Sequence, residues 1–238
     1  MEFSLIIPTL NESQKIGADI ESASRFLAEY IPNSEILVVD DGSVDQTCER
    51  ARQAHCYAPV ILKVIENSSH HGKGYALRTG FTASHGEWVM FADSGNNVPW
   101  NNVLKGLELL RIGKADIAHG SRHLRESEII IDQNMRRKIS SFIFRHLMRW
   151  TLAMPKALTD SQCGFKIYRG DIARKLYTQA QSNGFMIDIE IILLALQNDL
   201  QICEFPIQWR CDPDTRLSLI KHFSLVFHEW KNIRQRMK

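Results

Sequence analysis

The sequence lacks the features that mark secreted, zinc-binding or membrane-spanning proteins. Its five cysteines are an odd number, lie far apart and contain no C-x-x-C pair, so a disulfide framework or a structural zinc site is not expected. No apolar run approaches the ~20 residues that a membrane-spanning helix needs. The amino terminus, MEFSLIIPTLNES, has no basic segment and reaches polar residues too early for a signal peptide. Together these absences predict a cytoplasmic protein with free thiols.

A strong excess of charge is also absent. The net charge is +2 at pH 7, so nothing in the overall charge predicts a nucleic-acid partner. Hydrophobic residues make up 44% and charged residues 24% of the 238 residues, which is typical of a globular protein. There is no repeat, low-complexity segment or flexible linker, so a single domain is the simplest prediction.

The first half of the chain alternates short apolar runs with segments of helical spacing. Five strands are predicted at FSLIIPT, EILVVDD, PVILKVIE, EWVMFAD and ADIAHGS, with helices near residues 12–30, 45–54, 72–84 and 101–112. Strands separated by helices form right-handed βαβ units and a mainly parallel sheet. Ligands of such sheets bind beyond the carboxyl ends of the strands. Polar clusters follow there: PTLNE, DDGS, ADSG and GSR.

The second half contains two basic segments with an apolar stripe. Residues 134–153 predict an amphipathic helix, and residues 215–238 predict another. Between them, DSQCGFKIY predicts a loop and a strand, GFMIDIEIILLALQND predicts a loop and a helix, and QICEFPIQW predicts another strand. The stripe of the first helix consists of Ile139, Phe142, Ile143, Leu147 and Trp150. Such a stripe usually packs against a core, but a helix lying on a bilayer surface has the same pattern.

The glycine-rich segment HHGKGYALRTG is not a nucleotide-binding P-loop. That motif requires a glycine five residues before its Gly-Lys pair and a serine or threonine after the lysine. Here Asn67 and Gly74 occupy those positions. Gly72 and Gly74 open a helix instead, where the backbone can approach a ligand closely.

Taken in order, SLIIPTLNE, ILVVDDGSVDQT, HHGKGYALRTGF, WVMFADS and GSR resemble the nucleotide-sugar half of family 2 glycosyltransferases. The segments DSQCGFKIY, GFMIDIEII, FPIQW and TRL look like those of polyprenyl-phosphate sugar synthases, and QCGFK is most similar to the dolichyl-phosphate β-glucosyltransferases. The resemblance implies the GT-A fold, a Rossmann-like α/β domain with a mainly parallel sheet flanked by helices. It divides the single domain 1–238 into a nucleotide-sugar-binding half (1–125), an acceptor half (126–214) and a C-terminal amphipathic helix (215–238).

The resemblance also implies a donor site. Asp41 would read the base, Asp93 would face the diphosphate and Arg216 would close over it. Arg122 would meet a phosphate of the donor or of the acceptor. The alternative for the DDGS cluster is turn and helix-cap chemistry. The implied nucleotide-sugar-binding set is Pro8, Leu10, Glu12, Asp40, Asp41, Gly72, Lys73, Asp93, Ser94, Gly95, Arg122 and Arg216.

The implied metal site departs from the family pattern. Family members carry D-x-D where this chain has FADSGNN, so the second acid is Gly95. Mg²⁺ commonly uses one or two carboxylates together with phosphate oxygens and water. One hypothesis is therefore a weak Mg²⁺ or Mn²⁺ site at Asp93 and Asn97, completed by the donor. The other is that metal binding has been lost, leaving a non-catalytic nucleotide-sugar-binding protein.

Two acceptor chemistries stay open. A polyprenyl phosphate is largely dianionic, because the second pKa of a phosphate monoester is near ~6, and needs cations rather than a base. The resemblance assigns Arg136, Arg137, Gln162, Gly164 and Lys166 to its binding. A hydroxyl acceptor would need a carboxylate base, for which Asp188, Glu190 and Asp160 are candidates. The catalytic candidates are thus Asp93, Arg122, Asp188 and Glu190.

The leading hypothesis is an inverting transferase that moves glucose from UDP-glucose to a polyprenyl phosphate. Its partners would be the nucleotide sugar, the lipid phosphate and the membrane surface. The expected location is peripheral, at the cytoplasmic face of a membrane, with a membrane-anchoring partner or a homo-oligomer as further expectations.

Overall fold

The computed structural model describes residues 1–212 and 223–237. Its central sheet has seven strands in the order β3-β2-β1-β4-β7-β5-β8, and β6 pairs with β9 outside it. The strands are β1 (Phe3–Thr9), β2 (Ser34–Asp40), β3 (Ile61–Glu66), β4 (Trp88–Ala92), β5 (Ile117–Ser121), β6 (Glu128–Ile131), β7 (Phe165–Arg169), β8 (Ile202–Pro206) and β9 (Gln208–Arg210). The helices are α1 (Ile16–Tyr30), α2 (Thr47–Gln53), α3 (Lys73–Ala83), α4 (Asn102–Arg111), α5 (Met135–Thr151), α6 (Gly170–Gln179), α7 (Ile187–Gln197) and α8 (Phe223–Arg236).

The sheet is parallel except at one strand. β1 pairs in parallel with β2 and β4, and β5 pairs in parallel with β8. β7 lies between β4 and β5 and is antiparallel to both. The predicted mainly parallel α/β sheet is therefore confirmed, with β7 joining its two parallel parts.

Helices cover both faces of this sheet, which explains why its strands are almost wholly apolar. Leu5 and Ile7 pack on the face covered by α1, α2 and α4. Ile6, between them, packs on the face covered by α3, α6 and α7. Alternate side chains of each strand thus enter different cores, as the strand pleat requires.

The predicted strand QICEFPIQW is two strands. β8 ends at Pro206 and belongs to the central sheet, whereas β9 begins at Gln208 and pairs with β6. Ile207 between them is buried in the core. Proline lacks an N–H for a sheet ladder, so the chain changes sheets there. No pattern in the sequence predicted β6 or α6.

Helix α5 turns its predicted apolar stripe to solvent. Ile139, Phe142, Ile143, Leu147 and Trp150 are 48–85% exposed. A different row, which includes Met148 and Leu152, packs against α7 and Ile233 of α8. The core-packing interpretation of the stripe is therefore wrong. Within residues 1–212 and 223–237, none of the helices combines the length and apolar content required to cross a bilayer.

The carboxyl-terminal helix is fixed to the rest of the domain through its polar groups. The buried Glu229 of α8 accepts a hydrogen bond of 2.6 Å from the backbone N–H of Gly184 and one of 3.3 Å from that of Met186. The carbonyl of Asn183 in the same loop accepts a hydrogen bond of 2.6 Å from the N–H of Gly74. The predicted helix 215–238 is confirmed for the part that the structure describes.

Candidate active site

A cleft of about 1250 Å³ lies at the carboxyl ends of β1, β2, β4 and β5. This is where a parallel α/β sheet places its ligands. The start of α3, the loop before β7 and one side of α5 complete the walls. The predicted residues that line the cleft are Pro8, Leu10, Glu12, Asp41, Gly72, Lys73, Asp93, Ser94, Asn97, Arg122, Arg136, Arg137, Gln162, Gly164 and Asp188.

Asp41 holds the loop that leads into α3. One carboxylate oxygen accepts a hydrogen bond of 2.7 Å from the N–H of Gly72, and His70 Nδ1 lies 2.7 Å from the same oxygen. The other oxygen accepts a hydrogen bond of 3.2 Å from Asn67 Nδ2. Gly72 adopts φ +114°, a conformation that favours glycine. Asp41 thus shapes the glycine-rich wall of the cleft.

Lys73, Asp93 and Asp188 form the floor of the cleft, and Lys166 lies beneath it. Lys73 Nζ lies 2.8 Å from Asp93 Oδ1 and 3.6 Å from Asp188 Oδ2. Lys166 forms an ion pair with the other oxygen of Asp188, and both of these side chains are buried. Burial disfavours the charged form of Lys73, but the nearby carboxylates of Asp93 and Asp188 outweigh it and raise the lysine pKa above its ordinary value. Lys73 therefore remains a cation beside Asp93.

Gly164 sets the position of Asp93. The backbone N–H of Asp93 donates to the Gly164 carbonyl at 3.0 Å. A Cβ on residue 164 would overlap the Asp93 carboxylate. The Asp93 side chain is 42% exposed, so its carboxylate faces the cleft while its backbone is anchored to the loop before β7.

Arg122 is fixed by a buried carboxylate. Its Nε lies 2.6 Å and its Nη2 2.8 Å from the two oxygens of Asp160, and the guanidinium packs over the Trp209 ring. Burial alone would raise the pKa of Asp160, but Arg122 holds it far below the usual range. The two bonds to Asp160 fix the orientation of the Arg122 side chain, which lines the cleft. They use only part of the N–H donors of a guanidinium.

A second acidic group lies beneath the turn after β4. Asp19 of α1 accepts hydrogen bonds from Ser94 Oγ at 2.6 Å and from the N–H of Gly95 at 2.9 Å. Burial raises the pKa of Asp19. Asp212, near the end of the first described range, reaches the same turn: its Oδ2 lies 3.1 Å from the position that a Cβ on Gly95 would take. No sequence pattern indicated Asp19 or Asp212, because neither residue belongs to a motif.

The sequence matches the model for glycosyl transferase family 2 over residues 4–177. The chain belongs to this family. It is 30% identical to the dolichyl-phosphate beta-glucosyltransferase of Saccharomyces cerevisiae over 233 residues, which cover 91% of this chain and 69% of the yeast protein. It is 29% identical to the Homo sapiens enzyme of the same name, covering 87% of this chain and 67% of that one.

The fold of this glycosyltransferase also has solved relatives. The crystal structure of glucosyl-3-phosphoglycerate synthase from Mycobacterium tuberculosis, in complex with Mn²⁺, UDP-glucose and phosphoglyceric acid, superposes with a TM-score of 0.75 at 19% identity. The match covers 98% of this chain and 79% of that one. The predicted GT-A fold is confirmed.

Four predicted site residues of the glycosyltransferase do not line the cleft. Asp40 is buried and accepts a hydrogen bond of 2.8 Å from the N–H of Ser43, which is the turn chemistry weighed above. Glu190 is buried, accepts hydrogen bonds from the N–H groups of Gln181 and Ser182, and pairs with Arg236. Lys166 lies beneath the floor. Gly95 contributes no lining surface. Arg216 falls outside the described residues.

A base role for Glu190 is wrong for this structure, because its carboxylate is sealed within a structural network. Asp188 reaches the cleft but is held by Lys73 and Lys166. Neither carboxylate is arranged to take a proton from an acceptor. The hydroxyl-acceptor hypothesis therefore gains no support from the geometry.

The residues near Asp93 fit a divalent cation that keeps ligands from phosphate and water. Mg²⁺ and Mn²⁺ prefer oxygen donors, and the exposed carboxylate of Asp93 supplies one at the cleft floor. The side-chain amide of Asn97 lies at the same turn, with Nδ2 3.5 Å and Oδ1 3.6 Å from the Cβ position of residue 95. Across the described ranges, no group of three or more histidine, cysteine or acidic side chains is assembled as a ready-made metal site.

Proposed function

We propose that the chain transfers glucose from UDP-glucose to a polyprenyl phosphate such as dolichyl phosphate, with inversion at the sugar carbon. The supporting observation is that three arginines, Arg122, Arg136 and Arg137, line the cleft, and that the exposed apolar face of α5 borders it. A lipid phosphate has a charged head, which the arginines would bind, and an apolar tail, which the exposed face of α5 would contact. The names of the relatives and the donor in the neighbouring structure agree with this pairing.

The charged residues of the cleft indicate how the nucleotide-sugar donor would bind. The backbone at Gly72 packs against the loop at Asn183 and forms one wall of the cleft, and Lys73 would face the donor diphosphate from the start of α3. Asp93 and Asn97 would hold Mg²⁺ or Mn²⁺. When bound, the cation supplies positive charge that stabilises the leaving nucleoside diphosphate.

The acceptor phosphate is the nucleophile. One of its oxygens forms a bond to the anomeric carbon while the bond from that carbon to the donor diphosphate breaks, and the electron pair leaves with UDP. A dianionic phosphate has no proton to lose, so no base is required. Arg136, Arg137 and Arg122 orient the phosphate, since the planar fork of arginine binds two oxygens at once.

The exposed face of α5 is the proposed membrane contact of this peripheral enzyme. Its apolar residues are flanked by Arg136, Lys138, His146 and Arg149. A basic helix with an outward apolar face lies in the interface of an anionic bilayer. This location places the mouth of the cleft next to the lipid headgroups. A membrane-anchoring partner and a homo-oligomer stay predictions.

Transfer assays with radiolabelled UDP-glucose test the proposal. Wild-type protein with Mn²⁺ should glucosylate dolichyl phosphate but not dolichol. Asp93→Asn should lower kcat/KM by about 100-fold, since it removes charge stabilisation in the transition state. Arg137→Ala should raise the KM for the lipid phosphate.

Arg111→Ala, at the opposite end of the sheet, is the matched control and should behave as wild type. Glucose transfer to dolichol with equal efficiency would favour the hydroxyl-acceptor alternative. Binding of UDP-glucose without turnover on either acceptor would favour a non-catalytic binding protein.

A further inference from the structure

The space that a second acid of D-x-D would occupy is next to a carboxylate from elsewhere in the chain. Gly95 has φ +111°, and the position that a Cβ on this residue would take lies 3.1 Å from Asp212 Oδ2. The side-chain nitrogen Nδ2 of Asn97 lies 3.5 Å from the same position. The Asp212 carboxylate therefore lies in close contact with the place where an aspartate side chain at position 95 would begin.

Asp212 is held in that place by backbone and side-chain contacts. The N–H of Arg210 donates to the carbonyl of Asn97 at 2.8 Å, which ties β9 to the turn after β4. Arg137 Nη1 donates to the Asp212 carbonyl at 3.3 Å. The Asp212 side chain lines the cleft and is 14% exposed. Its position is thus set from two sides.

We propose that Asp212 supplies the second carboxylate of the divalent-cation site whose first carboxylate is Asp93. The inference rests on the proposed function, because the cation binds together with the diphosphate of the donor. Mg²⁺ and Mn²⁺ sites of this kind need one or two carboxylates, the remaining ligands being phosphate oxygens and water. The second acid of the site is then supplied from position 212 instead of position 95.

Lys15 is the counter-ion of Asp212 before the cation binds. Its Nζ lies 2.7 Å from Asp212 Oδ2 and 3.7 Å from Glu12 Oε2. A cation at Asp212 competes with this ammonium group, which can shift toward Glu12. Removing the charge of Lys15 should therefore tighten cation binding, whereas removing the charge of Asp212 should weaken it.

Mn²⁺ binding provides a readout that does not depend on turnover. Free Mn²⁺ is measured by electron paramagnetic resonance during titration of UDP-saturated protein. Asp212→Asn should weaken Mn²⁺ binding by about tenfold or more, the scale at which disturbed metal sites lose affinity. Asp93→Asn should weaken it as well. Asp171→Asn, an exposed ion-paired aspartate of α6, should bind like wild type.

A further variant keeps the test decisive if Asp212→Asn lowers the melting temperature. Lys15→Met should bind Mn²⁺ more tightly than wild type, because it removes the ammonium group that competes with the cation at Asp212. Unchanged Mn²⁺ affinity in Lys15→Met would count against the role of Asp212.

The outcomes separate this inference from the proposed function. Wild-type affinity in Asp212→Asn together with lost affinity in Asp93→Asn would overturn the role of Asp212 and leave the proposed function standing. Absence of UDP-dependent Mn²⁺ binding in the wild type would overturn both the metal-dependent site and the role of Asp212.

Discussion

At the scale of single residues, Gly164 makes room for the carboxylate of Asp93. Glycine has only a hydrogen atom where every other residue has a Cβ. Because a Cβ there would overlap the Asp93 carboxylate, Gly164→Ala must displace that side chain. A misplacement of about 1 Å can cost about 100-fold in rate, so we expect a loss of kcat/KM of that order with the fold retained. Steady-state glucose transfer measures it.

Gly17→Ala is the matched control for this substitution. Residue 17 lies in α1, and nothing comes within 4 Å of its virtual Cβ. The control should keep full activity. Equal activity in Gly164→Ala and wild type would contradict the positioning of Asp93 by this glycine.

The buried pair of Lys166 and Asp188 makes a second prediction at this scale. Lys166→Met leaves Asp188 with Lys73 as its remaining ion-pair partner in the described part of the chain. Breaking a buried ion pair typically costs about 3–5 kcal/mol, and we expect the lower part of that range because Lys73 stays. Urea denaturation measures the free energy of unfolding.

The double variant Lys166→Met, Asp188→Leu checks the cause. Replacing both members of a buried pair with apolar side chains is often neutral, so it should unfold at a higher urea concentration than Lys166→Met alone. If the double variant is less stable than the single one, charge pairing is not what Lys166 contributes to the fold.

Residue roles were harder to predict from the sequence than residue positions. Asp41 of the DDGS motif lines the cleft, but its carboxylate binds the loop at Gly72, and no local pattern encodes a pairing across that sequence separation. Asp212 lies far from Asp93 in sequence, and only the folded chain brings it beside Gly95. Motifs report local chemistry, and contacts between distant segments depend on the tertiary structure.

At the scale of elements, the outward face of α5 predicts binding to membranes. Phe142→Glu combined with Ile143→Glu removes two apolar side chains that would enter the bilayer, each worth roughly 1.5–3 kcal/mol on full burial. We expect at least about a tenfold loss in partitioning to vesicles of anionic phospholipid, measured by co-sedimentation. The melting temperature should hold, because both side chains are already exposed.

Ile112→Glu supplies the control, since Ile112 follows α4 and is also exposed. It should sediment with vesicles as wild type does. Unchanged partitioning of the double variant would show that α5 does not face the membrane.

The elements themselves were largely predictable where the pattern was local. The apolar runs located β1 to β5, and the helical spacing located α1 to α5. The antiparallel strand β7 could be identified as a strand but not placed in the sheet, because strand order depends on contacts across the whole chain. The outward stripe of α5 was also ambiguous, since a core helix and an interfacial helix share one periodicity.

At the scale of the whole molecule, His119 links stability to pH. It lies in β5, fully buried, and neither ring nitrogen has a hydrogen-bond partner in the described structure. Burial, assisted by the charge of Lys166 and opposed by Asp160, lowers its pKa well below the ordinary value. Below pH ~6.5 the unfolded chain therefore binds a proton that the native protein does not.

Acidification should consequently favour unfolding. Between the pKa of His119 in the unfolded chain and its pKa in the folded chain, the histidine lowers the unfolding free energy by up to about 1.4 kcal/mol for each pH unit of acidification. His119→Leu should reduce the decline of the unfolding free energy between pH 6.5 and pH 5.5 by about 1 kcal/mol, because the unfolded histidine is only half protonated at pH 6.5. Urea denaturation at both pH values measures the slope.

His55→Gln, at an exposed position, should keep the wild-type slope. Parallel slopes for wild type and His119→Leu would mean that His119 does not control the acid sensitivity of the fold.

The placement of β7 has a consequence for any attempt to take the enzyme apart. β5 joins the central sheet through β7 on one side and β8 on the other, and both of those strands come later in the chain. A fragment ending near residue 125 would therefore carry β5 with no neighbour to pair with, and the later fragment would carry β7 with neither of its partners. Neither piece alone can complete the central sheet, so the two halves of the chain are expected to fold together rather than separately.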